Sequence, residues 1–151
     1  MIIKNAGWGM IRFIIPVVFI LIFQTGISLT NDDIRQILIK EQASIGDAVF
    51  LVASLDSPSI TRDLVNVNNY ARIKSLNLTN YLSIGDFSII TIEFNKAKSG
   101  ILYSLTGFSK YAAECLVFQK IIPAGFSFSR PVSGPELVGF LTILKDKKNE
   151  K

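Results

Sequence analysis

The sequence contains no histidine and only one cysteine, Cys115. Ser-His-Asp and Cys-His nucleophiles need an imidazole base, and the common zinc sites need several histidine or cysteine ligands. Both classes are excluded by inventory, so no catalytic residue, no metal ligand and no cofactor is expected. Cys115 lies in Ala112-Ala113-Glu114-Cys115-Leu116-Val117-Phe118, where it reads as a small buried side chain on a helix face. The competing reading is a reactive or intermolecularly paired thiol. Clustered positive charge is also lacking. The formal charge of +4 includes Lys4 and Arg12, and without them the remainder is only +2. A nucleic-acid binder gathers basic residues on one face, and no such cluster stands before the tail, so nucleic acid is excluded as a partner.

What is present is apolar. With 151 residues and 49% hydrophobic side chains, the chain holds one domain with enough apolar surface for a real core. Part of that surface is concentrated at the start. A basic lead with Lys4 and Arg12 precedes an apolar run from Phe13 to Phe23, followed by the polar or small residues Gln24, Thr25, Gly26 and Ser28. This order matches a secretory signal peptide, which assigns residues 1–28 as a signal peptide or membrane anchor. A spanning helix needs ~20 mainly apolar residues; an uncleaved leader reaches that length and would hold the membrane through residues 8–29. In either case the positive-inside rule sends the rest across the membrane, to the periplasm or cell surface.

The remainder is organised around a repeated opening. Ser44-Ile45-Gly46-Asp47 recurs letter for letter as Ser83-Ile84-Gly85-Asp86 and is echoed by Ser133-Gly134-Pro135-Glu136. In each, a serine is followed three residues later by a carboxylate, the capping-box pattern of a helix start. Past each serine, apolar residues recur at the fourth, seventh and eleventh positions: Ala48, Leu51 and Leu55; Phe87, Ile90 and Phe94; Leu137, Phe140 and Leu144. Those offsets share one helical face. Asp47, Asp86 and Glu136 could be proposed as general acid and base, but their spacing from a serine already explains them as structural caps.

Taken in order, a first helix is expected from Asp32 to Lys40, capped by Thr30 or Asn31, with Ile34, Ile37 and Leu38 facing inward. The first Ser-Ile-Gly-Asp helix stops at Asp56-Ser57-Pro58. Thr61 reopens a helix running to Ser75 that carries Leu64, Val67, Ala71 and Ile73. In the second Ser-Ile-Gly-Asp segment, Ile89 to Ile92 are β-branched and favour a strand, but the repeat pattern favours helix, and helix is expected. A short segment from Ile101 to Leu105 ends at Thr106-Gly107. Ser109 then caps a helix from Lys110 to Ile121 whose Tyr111, Cys115 and Phe118 form a core stripe. Pro123, Gly125 and Pro131 frame a loop with Phe126, Phe128 and Arg130, whose aromatics tuck back onto the body. The last helix follows Ser133 and dissolves into a solvated, charged tail, 147–151.

The segment from Tyr111 to Leu144 resembles an S-layer homology unit: a helix opening Tyr111-Ala112-Ala113-Glu114, the turn Ile121-Ile122-Pro123-Ala124-Gly125, an aromatic loop ending Arg130-Pro131-Val132, and a helix capped by Ser133 with Glu136. Ala71 to Phe94 resembles the same transition more loosely, and Ala43 to Leu55 only its second helix. The resemblance implies an all-α fold, a compact bundle of degenerate helix-loop-helix repeats over 29–146 behind the N-terminal signal or anchor helix. It also implies an exported module that associates with envelope polymers or builds envelope proteins. The family's arginine after the capping residue is replaced here by Ile45, Ile84 and Gly134, and the only tryptophan, Trp8, lies in the leader. The expected function is therefore a non-catalytic envelope module, exported and holding an envelope protein or wall partner. The alternative is a carbohydrate or anionic wall-polymer binder. Candidate contacts are Arg62, Lys110, Lys120, Phe126, Phe128 and Arg130, whose cations would pair with acidic groups.

Overall fold

A computed structural model describes residues 31–149; the expected leader and the Thr30 cap lie outside them. Among the described residues the chain is all-α, with seven α-helices, one 3₁₀ turn and no strand. The helices are α1 Asn31–Leu38, α2 Ile45–Ser54, α3 Ala71–Lys74, α4 Ile84–Glu93, α5 Ile101–Thr106, α6 Ser109–Phe118 and α7 Gly134–Asn149.

Three of them begin in the same way. In α2 the Ser44 hydroxyl accepts from the Asp47 N–H at 3.1 Å while the Asp47 carboxylate accepts from the Ser44 N–H at 3.0 Å. Ser83 and Asp86 do the same in α4 at 3.1 and 3.2 Å. Ser133 and Glu136 repeat the exchange in α7 at 3.4 and 3.1 Å. Each box satisfies two of the amides a helix start would leave open.

The residues just before the three serines join in a closed ring. Ala43 N–H donates to the Val132 carbonyl (2.8 Å), Val132 N–H to Leu82 (2.9 Å), and Leu82 N–H back to Ala43 (2.8 Å). All three residues are fully buried, so the ring supplies the partners that water cannot reach. The residues just after the serines extend the arrangement: Ile45 donates to Asn80, Ile84 to Arg130, and Gly134 to Lys40. Each cap is thus roofed by the segment leading into the next cap, and the third is roofed by the segment leading into the first. Gly46 and Gly85 add a second bond, to Leu78 and Phe128. Pro135 holds the matching place in the third unit and has no N–H to give. There the chains run closest, since a Cβ on Gly134 would lie 1.8 Å from the Ile37 carbonyl oxygen.

From this ring α2, α4 and α7 run side by side through the core. Ala48, Leu51, Phe87, Ile90, Leu137, Phe140 and Leu144 are buried, and the Phe87 and Phe140 rings meet at 5.4 Å. Because α2 and α4 are buried nearly all round, the β-branched run Ile89 to Ile92 remains helical, and Ser88 and Thr91 return their hydroxyls to the carbonyls of Ile84 and Phe87.

Elsewhere the structure corrects the sequence reading. The helix expected from Thr61 to Ser75 is a 3₁₀ turn, Arg62–Leu64, and the single turn α3. Between them the Asn66 side chain accepts the Asn68 N–H at 2.9 Å, a local turn that competes with helix, and Leu64 stays exposed. Leu38 and Ile39 point outward, leaving Ile37 as the buried anchor of α1. Ser109 does not cap α6; it is the first helical residue, and Phe108 stands at the N-cap without a side-chain bond. The buried stripe of α6 is Ala112, Ala113 and Leu116, while Phe118 is 88% exposed. The small residues let α6 lie close on α4, where a Cβ on Gly85 would come within 2.8 Å of Ser109 Cβ. Helix α7 continues through the expected tail to Asn149.

Two substitutions grade the ring against its caps. Ser83→Ala is expected to cost about 1 kcal/mol, the worth of one cap. Gly134→Ala, which drives a methyl into the Ile37 backbone, is expected to cost about 3 kcal/mol, and urea denaturation of both variants checks the order.

Candidate functional site

The candidate cations turn out to be committed to the fold in two cases and exposed in the other two. Arg62 donates to Asp47 at 3.0 Å and lies over the Phe50 ring at 4.8 Å. Lys40 reaches the other Asp47 oxygen at 2.7 Å. Arg130 donates to Glu136 at 2.6 Å and stacks on Phe126 at 4.3 Å. A third set, absent from the sequence reading, repeats the motif: Arg72 donates to Glu93 at 3.0 Å above the Tyr103 ring at 4.8 Å, and the Tyr103 hydroxyl joins the same Glu93 oxygen at 2.9 Å. An arginine seated on an aromatic and bonded to a carboxylate gains cation–π and charge-assisted terms together. Lys110 and Lys120 stand exposed on or just past α6. Lys120 adopts φ 55 and helps close α6, with Ile121 N–H returning to the Leu116 carbonyl at 2.9 Å. The six candidates do not converge. Arg62 belongs to the first cap, the other five to α6 and the loop after it, where Phe126 and Phe128 are 38% and 42% exposed.

Electrostatics at the caps is set by burial opposed by hydrogen bonds. Burial pushes the Asp47 carboxyl up, but bonds from Lys40, Ser44 and Arg62 overcome it and hold the group below its ordinary value. At Glu136 burial is likewise outweighed by Ser133 and Arg130. Burial, reinforced by Glu93, pushes the Tyr103 hydroxyl up to about 12. Three carboxylates therefore face the positive ends of three helices.

The opposite ends of those helices form a half-open cleft of about 1220 Å³. Leu55, Phe94 and Leu144 give it an apolar floor, and Lys96, Lys98, Lys147 and Lys148 line it. Asp56 ties two of these together, bonding Lys148 at 2.8 Å and also Lys96; those bonds hold its carboxyl low. Lys98 and Lys147 carry no ion pair among the described residues. The lysines complement the negative helix ends, and in the cleft uncommitted cations adjoin apolar surface. The sequence reading missed it because its lysines come from two distant stretches, one of them taken for a tail. Cys115, expected to be buried, is half-buried; its sulfur accepts the Gly100 N–H at 3.1 Å. No group of His, Cys, Asp and Glu able to hold a metal occurs among the described residues. Comparison with known proteins finds no family model, no curated protein and no solved structure that matches the chain.

The lowered Asp47 value carries a pH dependence. Its contribution is fully present above the ordinary carboxylate value of 3.8 and is lost as the pH falls below that through the lowered folded value. Asp47→Asn is expected to cost about 2 kcal/mol at neutral pH and progressively less as the pH falls below 3.8, so that denaturation curves of variant and wild type draw together in acid.

Proposed function

We propose that the chain is a non-catalytic envelope module, of S-layer-homology-like design and exported behind its leader, that holds an envelope protein or wall partner. The observation that carries this reading is the use of the repeated polar motif. Ser44, Ser83 and Ser133 with their acids spend their hydrogen bonds on helix starts joined in one ring, and the carboxylates that could have served acid–base chemistry are held low or tied to caps. A rigid body with its polar groups turned to architecture suits a scaffold whose outer face meets another molecule.

The second reading, an anionic wall-polymer binder, draws on the cleft. Lys98 and Lys147 stand there beside an apolar floor, whereas Arg62 and Arg130 are already bonded within the fold. Retention on purified cell-wall and envelope material across a salt series separates the two. A protein-holding module is expected to stay bound as salt rises, and a polymer site is expected to release as ions screen it. Failure to bind either material at low salt overturns both.

A further inference from the structure

Helix α5 and the turn after it carry a surface that the core does not use. Ile101, Leu102, Leu105 and Phe108 are 81%, 55%, 79% and 65% exposed, and the eight residues from 101 to 108 include no charge. The Gly100 N–H bonds Cys115 Sγ and the Lys98 N–H bonds the Gln119 side chain at 3.0 Å, which sets the start of α5 beside the end of α6, where exposed Phe118 lines the cleft. A lone exposed apolar residue such as Leu64 needs no account. A continuous ridge does.

The ridge is held as a firm platform. Tyr103 alone of α5 is buried, pinned through its hydroxyl to Glu93, and Gly107 ends the helix at φ 69. Its hydroxyls are satisfied from within: Ser104 returns to the Gly100 carbonyl at 3.1 Å and Thr106 to the Leu102 carbonyl at 2.7 Å. A surface whose polar groups are already bonded loses little on leaving water.

The rim is cationic. From residue 94 to 135 the only acid is Glu114, against Lys96, Lys98, Lys110, Lys120 and Arg130, of which Lys96 and Arg130 are paired with Asp56 and Glu136. Lys98, Lys110 and Lys120 are exposed and carry no ion pair among the described residues. A second copy placed face to face on the ridge would bring this rim against itself. An anionic lipid surface would meet it with opposite charge, and that is the occupant the charge pattern selects.

We propose that the α5–α6 hairpin docks on an anionic bilayer, with Ile101, Leu102, Leu105 and Phe108 entering the headgroup boundary and Lys98, Lys110 and Lys120 meeting lipid phosphates. The proposal concerns a face distinct from the caps, and it shares Lys98 with the cleft of the polymer-binding reading. Hydrogen exchange of the full chain tests it, on vesicles of phosphatidylcholine alone and of phosphatidylcholine with phosphatidylglycerol. The amides of 101–108 are expected to exchange roughly tenfold more slowly on the anionic vesicles, and the difference is expected to vanish at high salt and in the double variant Ile101→Asp, Leu105→Asp. Both positions are exposed, so the variant's thermal midpoint is expected to stay at that of the wild type. Equal exchange on the two vesicle types overturns the proposal. So does lipid-free protection of 101–108 that grows with protein concentration, which assigns the ridge to a second copy.

Discussion

Buried amides with no water to bond must find another partner, and in this domain three of them find one another. The Ala43, Leu82 and Val132 backbones bond in a circle at 2.8–2.9 Å, and each link fixes the approach of two chain segments that are distant in sequence. Leaving one buried donor unpaired costs about 1–3 kcal/mol, so the three approaches support one another. The capping boxes then launch α2, α4 and α7 from that fixed frame, which brings Phe87 against Phe140 and seals the apolar core.

Charge follows from the same geometry. Three helices that start together gather their positive ends at the ring and their negative ends at the cleft. Asp47, Asp86 and Glu136 occupy the first end, while Lys96, Lys98, Lys147 and Lys148 occupy the second. Each set of side chains offsets the dipoles beside it. The arginines complete the first set by bridging from loops, with Arg62 and Arg130 each resting on an aromatic ring.

The features legible in the sequence were those encoded within a few residues. The serine and its acid three positions on announce a helix start wherever they stand, and the offsets of Phe87 and Ile90 place one face inward. The ring left no such trace, because its bonds are between backbones, and Ala43, Leu82 and Val132 share only an apolar side chain and a place just before a capping serine. The partners of Asp47 were equally hidden, since Arg62 stands fifteen positions away and is joined to it only by the fold. Aromatic spacing misled at α6, where Phe118 matches Tyr111 and Cys115 in period, yet the alanines Ala112 and Ala113 are what close packing on α4 selects. Between Thr61 and Ser75, hydrophobic spacing suggested one helix, and the Asn66 side chain broke it with a local bond.

The closed circle of bonds also sets a limit on how such a domain can vary. In a solenoid each repeat touches only its neighbours, and the array can lengthen or shorten by a unit. Here the circle closes only where the first member bonds the last: the Ala43 N–H donates to the Val132 carbonyl, and beside it the Gly134 N–H donates to the Lys40 carbonyl. Removing one third would strand a donor and an acceptor in the interior, and inserting a fourth would open the circle. The architecture therefore has a fixed count, and the segment around Lys40 is as much a part of the final helix as of the first.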